Sequence, residues 1–233
     1  ERNLGYARAN NRAAALARGE FLALLNNDLI LLPRWLEPML RAHRALFGRA
    51  GAIGNVQLDA RSGAVDHTGI VINHQGKPVH DRARPAGIFP RLTGLRRVLA
   101  VTGACLLIAR RLWEQLGGLD EAFVNGGEDV DLCFRARRAG KVNAVALRSV
   151  VRHHVSASAG RKLHDERNSR LLALHWRREF VAAADDALRA WCHAYHEKFL
   201  ADPRDADPLI ARRAWLYADR KSTRLNSSHI PLS

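Results

Sequence analysis

The alternation of strand-like and helical stretches between residues 10 and 160 is the feature that most constrains the fold of this chain. Short apolar runs that end in polar turns are typical of buried strands, and the stretches between them repeat their apolar residues with a helical period. The strand-like runs are EFLALLNND (20–28), AGAIGNVQLD (50–59), GIVIN (69–73), RRVLAVTGACLLIAR (96–110) and KVNAVALRSVVRHH (141–154). Such alternation predicts an α/β fold with a largely parallel sheet flanked by helices.

Local signals set the ends of some of these elements. A helix over residues 33–48 is expected to have Pro33 at its first position and to end at Gly48, because proline is tolerated at a helix start and glycine is frequent at a helix end. The run over residues 96–110 is the longest apolar one, and it predicts a central strand with an irregularity at Gly103.

The pattern changes after residue 160, where the chain becomes helical and rich in Ala, Arg, Leu and Trp. We therefore divide the sequence into an α/β core over residues 1–160 and a helical C-terminal extension over residues 161–220. Residues 221–233 are polar and lack an apolar period, so they are expected to be a non-native tail. The sequence shows neither an initiating Met nor a signal peptide, and it is expected to begin within a longer protein.

Composition limits the classes of partner. The 37 Lys and Arg residues against 23 Asp and Glu residues give a formal charge of +14, which admits nucleic acid, an anionic membrane surface or a phosphorylated substrate. Few aromatic residues lie among the arginines, so nucleic acid is not expected as a partner. Three cysteines without a CxxC pair argue against a zinc ribbon or a disulfide scaffold and favour a reducing cytosol. The sequence contains no apolar run of about 18 residues, the length that a membrane span requires.

Asn26, Asn27 and Asp28 directly follow the first apolar run. Ligands of open α/β sheets bind beyond the carboxyl ends of the strands, and an amide with a carboxylate at such a turn suits a hydroxyl group and a divalent cation. Asn and Asp also favour ordinary strand-to-helix turns, because their side chains bond the nearby backbone. The sequence leaves both interpretations open, and the ordinary turn is the commoner case.

Glu128, Asp129 and Asp131 place three carboxylates within four residues, directly after Gly126 and Gly127, in a helix expected to begin at about Glu128. Acidic residues in the first turn of a helix are stabilised by its dipole, by about 0.3–1 kcal/mol each. One of them could instead be a general base, with the glycines leaving room for a substrate. The dipole lowers the pKa of a carboxylate, whereas desolvation and a neighbouring negative charge raise it. The spacing alone does not decide between these roles.

His153 and His154 end the last strand-like run. Adjacent residues of a strand point to opposite faces of the sheet, so only one of the two can enter a shared site. A single histidine is more often structural than a ligand, and the other histidines of the chain show no metal-binding spacing.

Six motifs follow one another in a specific order: NLGYARANN (3–11), ARGEFLALLNND (17–28), PRWLEPML (33–40), AVTGACLLIARRLWEQLGGLDEAF (100–123), GEDVDLCFRARRAG (127–140) and VVRHHVSAS (150–158). In this order they closely resemble the motifs of family 2 glycosyltransferases, in particular bacterial rhamnosyltransferases and O-antigen-type enzymes. The resemblance covers roughly residues 1–180 and implies a GT-A catalytic core over residues 1–160. It also implies that the family's first strand and its nucleobase-binding loop precede residue 1, which would make the sheet incomplete at its N-terminal side.

The resemblance implies a metal site. Asn26-Asn27-Asp28 occupies the position of the family's DXD motif, so Asp28 is expected to hold a divalent metal, Mg²⁺ or Mn²⁺, on the nucleotide diphosphate. Asn in place of the first Asp removes one charge from this motif. The histidine after the last core strand resembles the family's third metal ligand, and the residues that follow it favour His153 over His154.

The resemblance also implies a base and a donor pocket. Asp129 matches the catalytic base of the family, and Glu128 would be a supporting contact. The residues expected to bind the donor are Asn3, Gly5, Asn10, Asn11, Asn26, Asn27, Asp28, Thr102 and Gly103.

These assignments imply an inverting glycosyltransferase that moves a sugar from a nucleotide-sugar donor to a hydroxyl of a glycan or lipid-linked acceptor in cell-surface polysaccharide synthesis. Asp129 would take the proton of the acceptor hydroxyl, and Asp28 would lie on the opposite side of the same cleft. The expected location is the cytoplasm, including the inner face of the membrane. Peripheral membrane contact would be made by the basic C-terminal helices.

Two alternatives stay open. A nucleotidyltransferase on a related sheet would also use an acidic metal motif in basic surroundings, and it would release pyrophosphate rather than a nucleoside diphosphate. A basic module that binds a membrane or nucleic acid without catalytic activity is suggested by the charge of +14 alone.

Overall fold

The computed structural model describes residues 4–83, 93–154, 164–205 and 207–226, with the side chains of residue 205 and of residues 219–226 left aside. Asn3, one of the expected donor-binding residues, lies outside the described residues. The described helices and strands are, in chain order, α1 (Tyr6–Leu16), β1 (Phe21–Leu25), β2 (Leu29–Leu31), α2 (Leu36–Arg44), β3 (Ala50–Asp59), β4 (Val65–His67), β5 (Ile70–Ile72), β6 (Pro78–His80), β7 (Leu95–Arg97), β8 (Cys105–Ala109), α3 (Arg110–Leu116), α4 (Glu128–Arg138), β9 (Val142–His153), α5 (Asp165–His175), α6 (Arg177–Ala201) and α7 (Pro208–Asn226).

A central sheet has the strand order β1-β8-β3-β9-β2, with β4 paired to β3 and β7 paired to β9, while β5 and β6 form a separate hairpin. The expected α/β class is confirmed, but the expectation of a largely parallel sheet is wrong. Among the described strand pairs, only β3 and β9 run parallel. The apolar pattern of a strand is the same in both directions, so strands distant in the chain, such as β1 and β8, carry no local signal of their relative direction.

The core of the sheet lies on the face that α2 covers. Met39 and Ala42 of α2 are three residues apart, hence on one side of the helix, and they pack in one cluster with Ile53, Leu107 and Ala144 of three different strands. Met39 and Ile53 are completely buried. Full burial of a side chain of this size stabilises the fold by about 1.5–3 kcal/mol.

The carboxyl ends of β1, β3 and β9 meet at one edge of the sheet. Asp59, the last residue of β3, is the register partner of His153, the last residue of β9. The N–H of Asn26, just after β1, donates to the carbonyl of Ala104 at 2.9 Å, just before β8. This edge therefore gathers three polar segments where ligands of open α/β sheets bind.

Two expected boundaries are corrected. Helix α2 begins at Leu36 rather than Pro33, because Arg34 adopts a φ of 62°, which no right-handed helix accepts. The run over residues 96–110 forms the two strands β7 and β8 instead of one. Gly103 lies between these two strands. Its carbonyl and its N–H are hydrogen-bonded to the side chains of Tyr6 and Asp129, which belong to helices, and not to a neighbouring strand.

The chain forms two compact units. The first unit, Glu1–Val71 with Pro78–Arg177, contains the central sheet. The second unit, Ile72–Lys77 with Arg178–Ser233, contains α6 and α7. Within the second unit, Ala214 and Ala218 of α7 pack with Cys192 and Leu188 of α6. Among the helices that the structure describes, none combines the length and apolar character that crossing a bilayer requires.

Candidate active site

Asp129 lies in the first turn of α4, where two backbone N–H groups hold its carboxylate. Oδ2 accepts the N–H of Gly103 at 2.7 Å, and Oδ1 accepts the N–H of Val130 at 2.8 Å. The helix begins at Glu128, as expected, after Gly127 with a φ of 95°, a conformation open mainly to glycine. The Asp129 side chain is half-buried, so its carboxylate has a fixed orientation and remains within reach of a ligand.

Tyr6 of α1 reaches the same glycine from another side. Its hydroxyl group donates to the carbonyl of Gly103 at 2.6 Å. Burial, followed by the charges of Asp129 and Glu128, raises the pKa of Tyr6 far above its ordinary value, so the hydroxyl keeps its proton. A Cβ at position 103 would lie 2.7 Å from the Tyr6 hydroxyl oxygen, which explains the glycine. Sequence reasoning missed Tyr6, although it lies inside the NLGYARANN motif.

Glu128 is buried, and its carboxylate turns back toward the loop that precedes α4. Oε2 accepts the N–H of Gly126 at 2.7 Å. Because Gly126 has a φ of 155°, this hydrogen bond closes a turn available mainly to glycine. Glu128 thereby anchors the loop that carries Asp129, and its role as a supporting contact to the substrate stays a prediction.

Asp131 is also buried, and groups of the protein compensate its charge. Oδ2 accepts from Nε of Arg135 at 2.7 Å, and Oδ1 accepts from the indole N–H of Trp176 at 2.9 Å. Arg135 also donates to the carbonyls of Leu116 and Gly118. The three neighbouring carboxylates thus have different environments, which relieves the repulsion that their spacing suggests.

A cleft of about 190 Å³ opens beside Asp129. Its walls come from the β5–β6 hairpin, the segment before β8, the start of α4 and the first turns of α5. The lining mixes polar and apolar side chains, among them His80, Thr102, Asp129, Asp165, Ser169 and Leu172. Such a lining suits a ligand that has both hydroxyl groups and apolar faces.

Asp28 and His153 come together at the edge where the carboxyl ends of the strands meet. Asp28 Oδ1 lies 3.2 Å from His153 Nε2. Both atoms are buried, and neither makes a hydrogen bond within the described residues. Two neighbouring ligands of one octahedral ion lie about 3 Å apart, so the pair fits a divalent cation. Within the described ranges, no group of three or more His, Cys, Asp or Glu side chains is arranged so that it could hold a metal ion.

The side chain of His154, in contrast, is exposed, and this residue contacts Asp28 through its backbone. Its N–H donates to the carbonyl of Asp28 at 3.0 Å, which ties the two segments together. Since adjacent residues at a strand end point to opposite faces, the structure brings the side chain of His153, and not that of His154, to Asp28.

Some of the expected donor-binding residues have free polar groups. The side chains of Asn26 and Asn27 make no hydrogen bond to another described residue, and they are half-buried and exposed, respectively. Thr102 lines the cleft beside Asp129, where its hydroxyl oxygen accepts the N–H of Ala104 at 3.3 Å. These groups are available to a ligand at the sheet edge.

Two of the expected donor-binding residues, Asn10 and Asn11 of α1, make hydrogen bonds to the backbone that stabilise the fold. Asn10 donates to the carbonyl of Tyr6 at 2.9 Å. Asn11 donates to the carbonyl of Leu119 and accepts the N–H of the same residue, both at 2.9 Å. Gly5 precedes the helix with a φ of 78° and lines a second cleft, of about 270 Å³, beside the segment before α4. A role of these residues in donor binding stays a prediction.

The Asp28–His153 pair and Asp129 lie at the same edge of the sheet. The backbone connects them, because Asn26 donates to Ala104, which adjoins the glycine that holds Asp129. Neither Asp28 nor His153 lines the cleft beside Asp129. A single cleft between Asp28 and Asp129 therefore stays a prediction.

The model of the family described as glycosyltransferase like family 2 matches residues 3–171. The chain belongs to glycosyltransferase family 2. The relationship that the six motifs indicate is thereby confirmed. This family 2 chain is similar to the uncharacterized protein y4gI of Sinorhizobium fredii, with 36% identity over 176 residues, which are 72% of the chain and 19% of that protein.

The O-antigen biosynthesis protein RfbC of Myxococcus xanthus is 36% identical over 159 residues, which are 66% of the family 2 chain and 12% of that protein. The likeness to O-antigen-type proteins expected from the motifs is confirmed. The family 2 chain spans less than a fifth of the length of these curated relatives, at 19% and 12%.

The family 2 chain also resembles the crystal structure of GalNAc-T7 with UDP, GalNAc and Mn²⁺. The TM-score is 0.57 at 17% sequence identity, covering 77% of this chain and 36% of that one. The likeness shows the fold, which is GT-A as expected.

Proposed function

We propose that this family 2 chain is the catalytic part of an inverting glycosyltransferase, which moves a sugar from a nucleotide-sugar donor to a hydroxyl group of a glycan or lipid-linked acceptor. The observation that carries the proposal is the carboxylate of Asp129, which lines a cleft and is held by the N–H groups of Gly103 and Val130. Family membership supports the donor class, and the O-antigen relative supports an acceptor of cell-surface polysaccharide synthesis.

Asp129 is the general base of the proposed reaction. Its carboxylate takes the proton of the acceptor hydroxyl, whose oxygen forms a bond to the anomeric carbon of the donor. The bond from that carbon to the nucleoside diphosphate breaks on the opposite side, so the configuration inverts. The N–H groups of Gly103 and Val130 keep the carboxylate from rotating away from the acceptor.

Asp28 and His153 are the proposed ligands of a divalent cation, Mg²⁺ or Mn²⁺. The support is their separation of 3.2 Å, together with burial of both ligand atoms without hydrogen bonds in the described residues. When bound, the cation neutralises charge on the diphosphate leaving group. The proposed donor-binding residues are those that the family resemblance implies: Asn3, Gly5, Asn10, Asn11, Asn26, Asn27, Thr102 and Gly103.

The activity is tested with the purified protein, Mn²⁺, a panel of UDP-, GDP- and dTDP-sugars, and p-nitrophenyl glycosides as acceptors. Release of a nucleoside diphosphate and an acceptor enlarged by one sugar, with inverted configuration by NMR, is the expected result. Release of pyrophosphate would instead identify a nucleotidyltransferase.

The base is tested by Asp129→Asn, which is expected to lower transfer by about 100-fold or more. The control is Glu114→Gln, an exposed carboxylate of α3, which should change the rate by no more than about twofold. Normal transfer by Asp129→Asn would refute the assignment of the base.

We also propose that α7 contacts an anionic membrane surface, which would place the protein at the cytoplasmic face of the membrane. The helix buries small side chains, Ala214 and Ala218, against α6. It exposes larger apolar and basic side chains: Leu209, Arg212, Arg213, Trp215 and Leu216. A helix that exposes leucine and tryptophan beside arginine fits the boundary between the headgroups and acyl chains of anionic lipids.

Sedimentation with vesicles tests this contact. Vesicles that contain phosphatidylglycerol should bind the protein, and vesicles of phosphatidylcholine alone should not. The double substitution Arg212→Glu with Arg213→Glu should lower the bound fraction. Arg18→Glu with Arg61→Glu, which changes the charge equally at exposed positions of the first unit, should not. Equal losses of vesicle binding in the two double variants would show that binding depends on net charge alone. That result would contradict a specific contact between α7 and the membrane.

A further inference from the structure

A histidine lines the cleft beside Asp129 and lies next to a buried aspartate, and the proposed proton transfer uses neither residue. His80, the last residue of β6, lines this cleft. Its Nδ1 atom lies 3.4 Å from Oδ2 of Asp66 in β4. Asp66 is only 5% exposed, and aspartate is rarely buried to this degree unless it is paired.

Asp66 stays ionised and orients the ring of His80. The adjacent His80 ring, followed by Arg82 with Nη2 at 3.0 Å from Oδ1, holds the pKa of Asp66 at about 2. A carboxylate next to Nδ1 keeps a ring proton on that nitrogen. Nε2 makes no hydrogen bond or ion pair with a described residue, so it is the nitrogen that remains for a ligand in the cleft.

The surroundings of His80 restrict its movement. Asp81, the next residue, accepts the N–H of Thr68 and donates to the carbonyl of Gly69, both at 2.8 Å. The ring of His67, which is completely buried, packs edge-on against the ring of His80 with the centroids 4.8 Å apart. A side chain held in this way loses little conformational freedom when it binds a ligand.

The charge of the cleft indicates which part of an acceptor it receives. The described residues that line it include two carboxylates, Asp129 and Asp165, and no Lys or Arg. A phosphate group would be repelled there, whereas a neutral ring with hydroxyl groups would not. Ser169 and Thr102 add polar groups to the lining, and Leu172 adds an apolar surface for the C–H face of a ring.

We propose that His80, held by Asp66, binds the terminal sugar ring of the acceptor, and that this ring, rather than a phosphate or a lipid, occupies the cleft. The inference rests on the proposed function of Asp129. Nε2 of His80 hydrogen-bonds a hydroxyl next to the reacting one, while Asp129 takes the proton of the reacting hydroxyl. His80 is then a residue that positions the acceptor and selects the orientation of its hydroxyl groups.

The test uses His80→Ala, His80→Gln and Asp66→Asn in the full chain, with His74→Ala as the matched control. His74 is exposed on the turn of the same hairpin and does not line the cleft. Transfer is measured with p-nitrophenyl glycosides as acceptors, and hydrolysis of the donor by water is measured in parallel. Binding of the same glycosides is followed without donor by saturation-transfer NMR.

We expect His80→Ala to raise the KM for the acceptor by about tenfold, the loss of one hydrogen bond to a ligand. The KM for the donor and the rate of donor hydrolysis should stay unchanged, because the proposed role of His80 involves the acceptor and not the donor. His80→Gln should recover part of the loss, since its amide can still bond a hydroxyl. Asp66→Asn should give a smaller rise, and His74→Ala none.

An acceptor KM and an NMR signal that are unchanged in His80→Ala would overturn the inference, and so would an equal rise in His74→Ala. Thermal unfolding shows whether each variant folds, and if His80→Ala does not, His80→Gln and Asp66→Asn decide in the same two assays. Absence of nucleoside diphosphate release by the wild type would instead overturn the proposed function. The NMR comparison of glycoside binding would still decide the role of His80.

Discussion

The hydroxyl oxygen of Tyr6 lies 2.6 Å from the carbonyl oxygen of Gly103, and this contact joins α1 to the segment before β8. The N–H of the same glycine donates to Asp129 at 2.7 Å. The backbone of Gly103 is thus hydrogen-bonded to side chains of two helices, α1 and α4. Loss of either hydrogen bond should have a measurable effect on the protein.

Removal of the Tyr6 hydroxyl should destabilise the protein. Tyr6→Phe leaves the carbonyl of Gly103 without its donor in a partly buried place, which should lower the free energy of unfolding by about 1–2 kcal/mol. The comparison is Tyr195→Phe, whose hydroxyl accepts the N–H of Asp207 at an exposed position and should change stability by less than about 0.5 kcal/mol. Urea unfolding measures both, and equal losses would contradict the importance of the buried contact.

A side chain at position 103 should clash with Tyr6. Gly103→Ala places its Cβ 2.7 Å from the Tyr6 hydroxyl oxygen, and such overpacking costs about 1–3 kcal/mol of the free energy of unfolding. Tyr6→Phe removes the nearest clashing atom, so the double variant should lose less than the sum of the single losses. Losses that add within about 0.5 kcal/mol would show that the two residues do not interact in this way.

Asp28 and His153 should bind Mn²⁺ jointly. Electron paramagnetic resonance of free Mn²⁺ in the presence of UDP measures the affinity without turnover. Asp28→Asn and His153→Ala should each weaken binding by about tenfold or more, since each removes one ligand. His154→Ala should leave it unchanged, because that side chain points away from Asp28. Equal affinities in all three variants would place the metal elsewhere.

Asp66 should contribute stability that disappears in acid. Its pKa of about 2 in the folded protein lies below the ordinary value of 3.8. The contribution is therefore complete above about pH 4 and is lost as the pH falls through about 2. The difference between these two pKa values corresponds to at most about 2 kcal/mol of the free energy of unfolding.

Urea unfolding of Asp66→Asn across this range checks the assignment. The variant should be less stable than the wild type near pH 6, and the difference should shrink below about pH 4. A difference that stays constant down to about pH 2.5 would mean that ionisation of Asp66 does not matter for stability.

The parts of the site at strand ends could be located from sequence. The family resemblance assigns Asp28 and His153 to one metal, and the structure places their ligand atoms 3.2 Å apart. This works because a polar segment after an apolar run marks the end of a strand, and carboxyl ends of core strands share an edge. Their role as metal ligands stays a prediction.

The roles of the neighbouring carboxylates could not be separated in the same way. Glu128 and Asp131 are buried by partners that the sequence pattern does not show, such as Arg135 and Trp176 for Asp131. Whether a carboxylate anchors a loop, pairs with a cation or faces a cleft depends on tertiary contacts, which no helical spacing encodes.

Tyr6 and His80 were missed for a related reason. The partner of the Tyr6 hydroxyl is 97 positions away in the chain, and the partner of His80 stands on another strand. Each looks like an ordinary core or loop residue until the contact is known. Strand direction was missed as well, since a pattern of apolar residues has no polarity along the chain.

The arrangement at Gly103 has a mechanical consequence. The carbonyl of Gly103 accepts a hydrogen bond from Tyr6, and its N–H donates one to Asp129. These two groups belong to two rigid peptide planes that meet at the α-carbon of Gly103. These planes form a short rigid link between α1 and the carboxylate of Asp129. A displacement of α1 would therefore be transmitted to the carboxylate of Asp129 through these two hydrogen bonds.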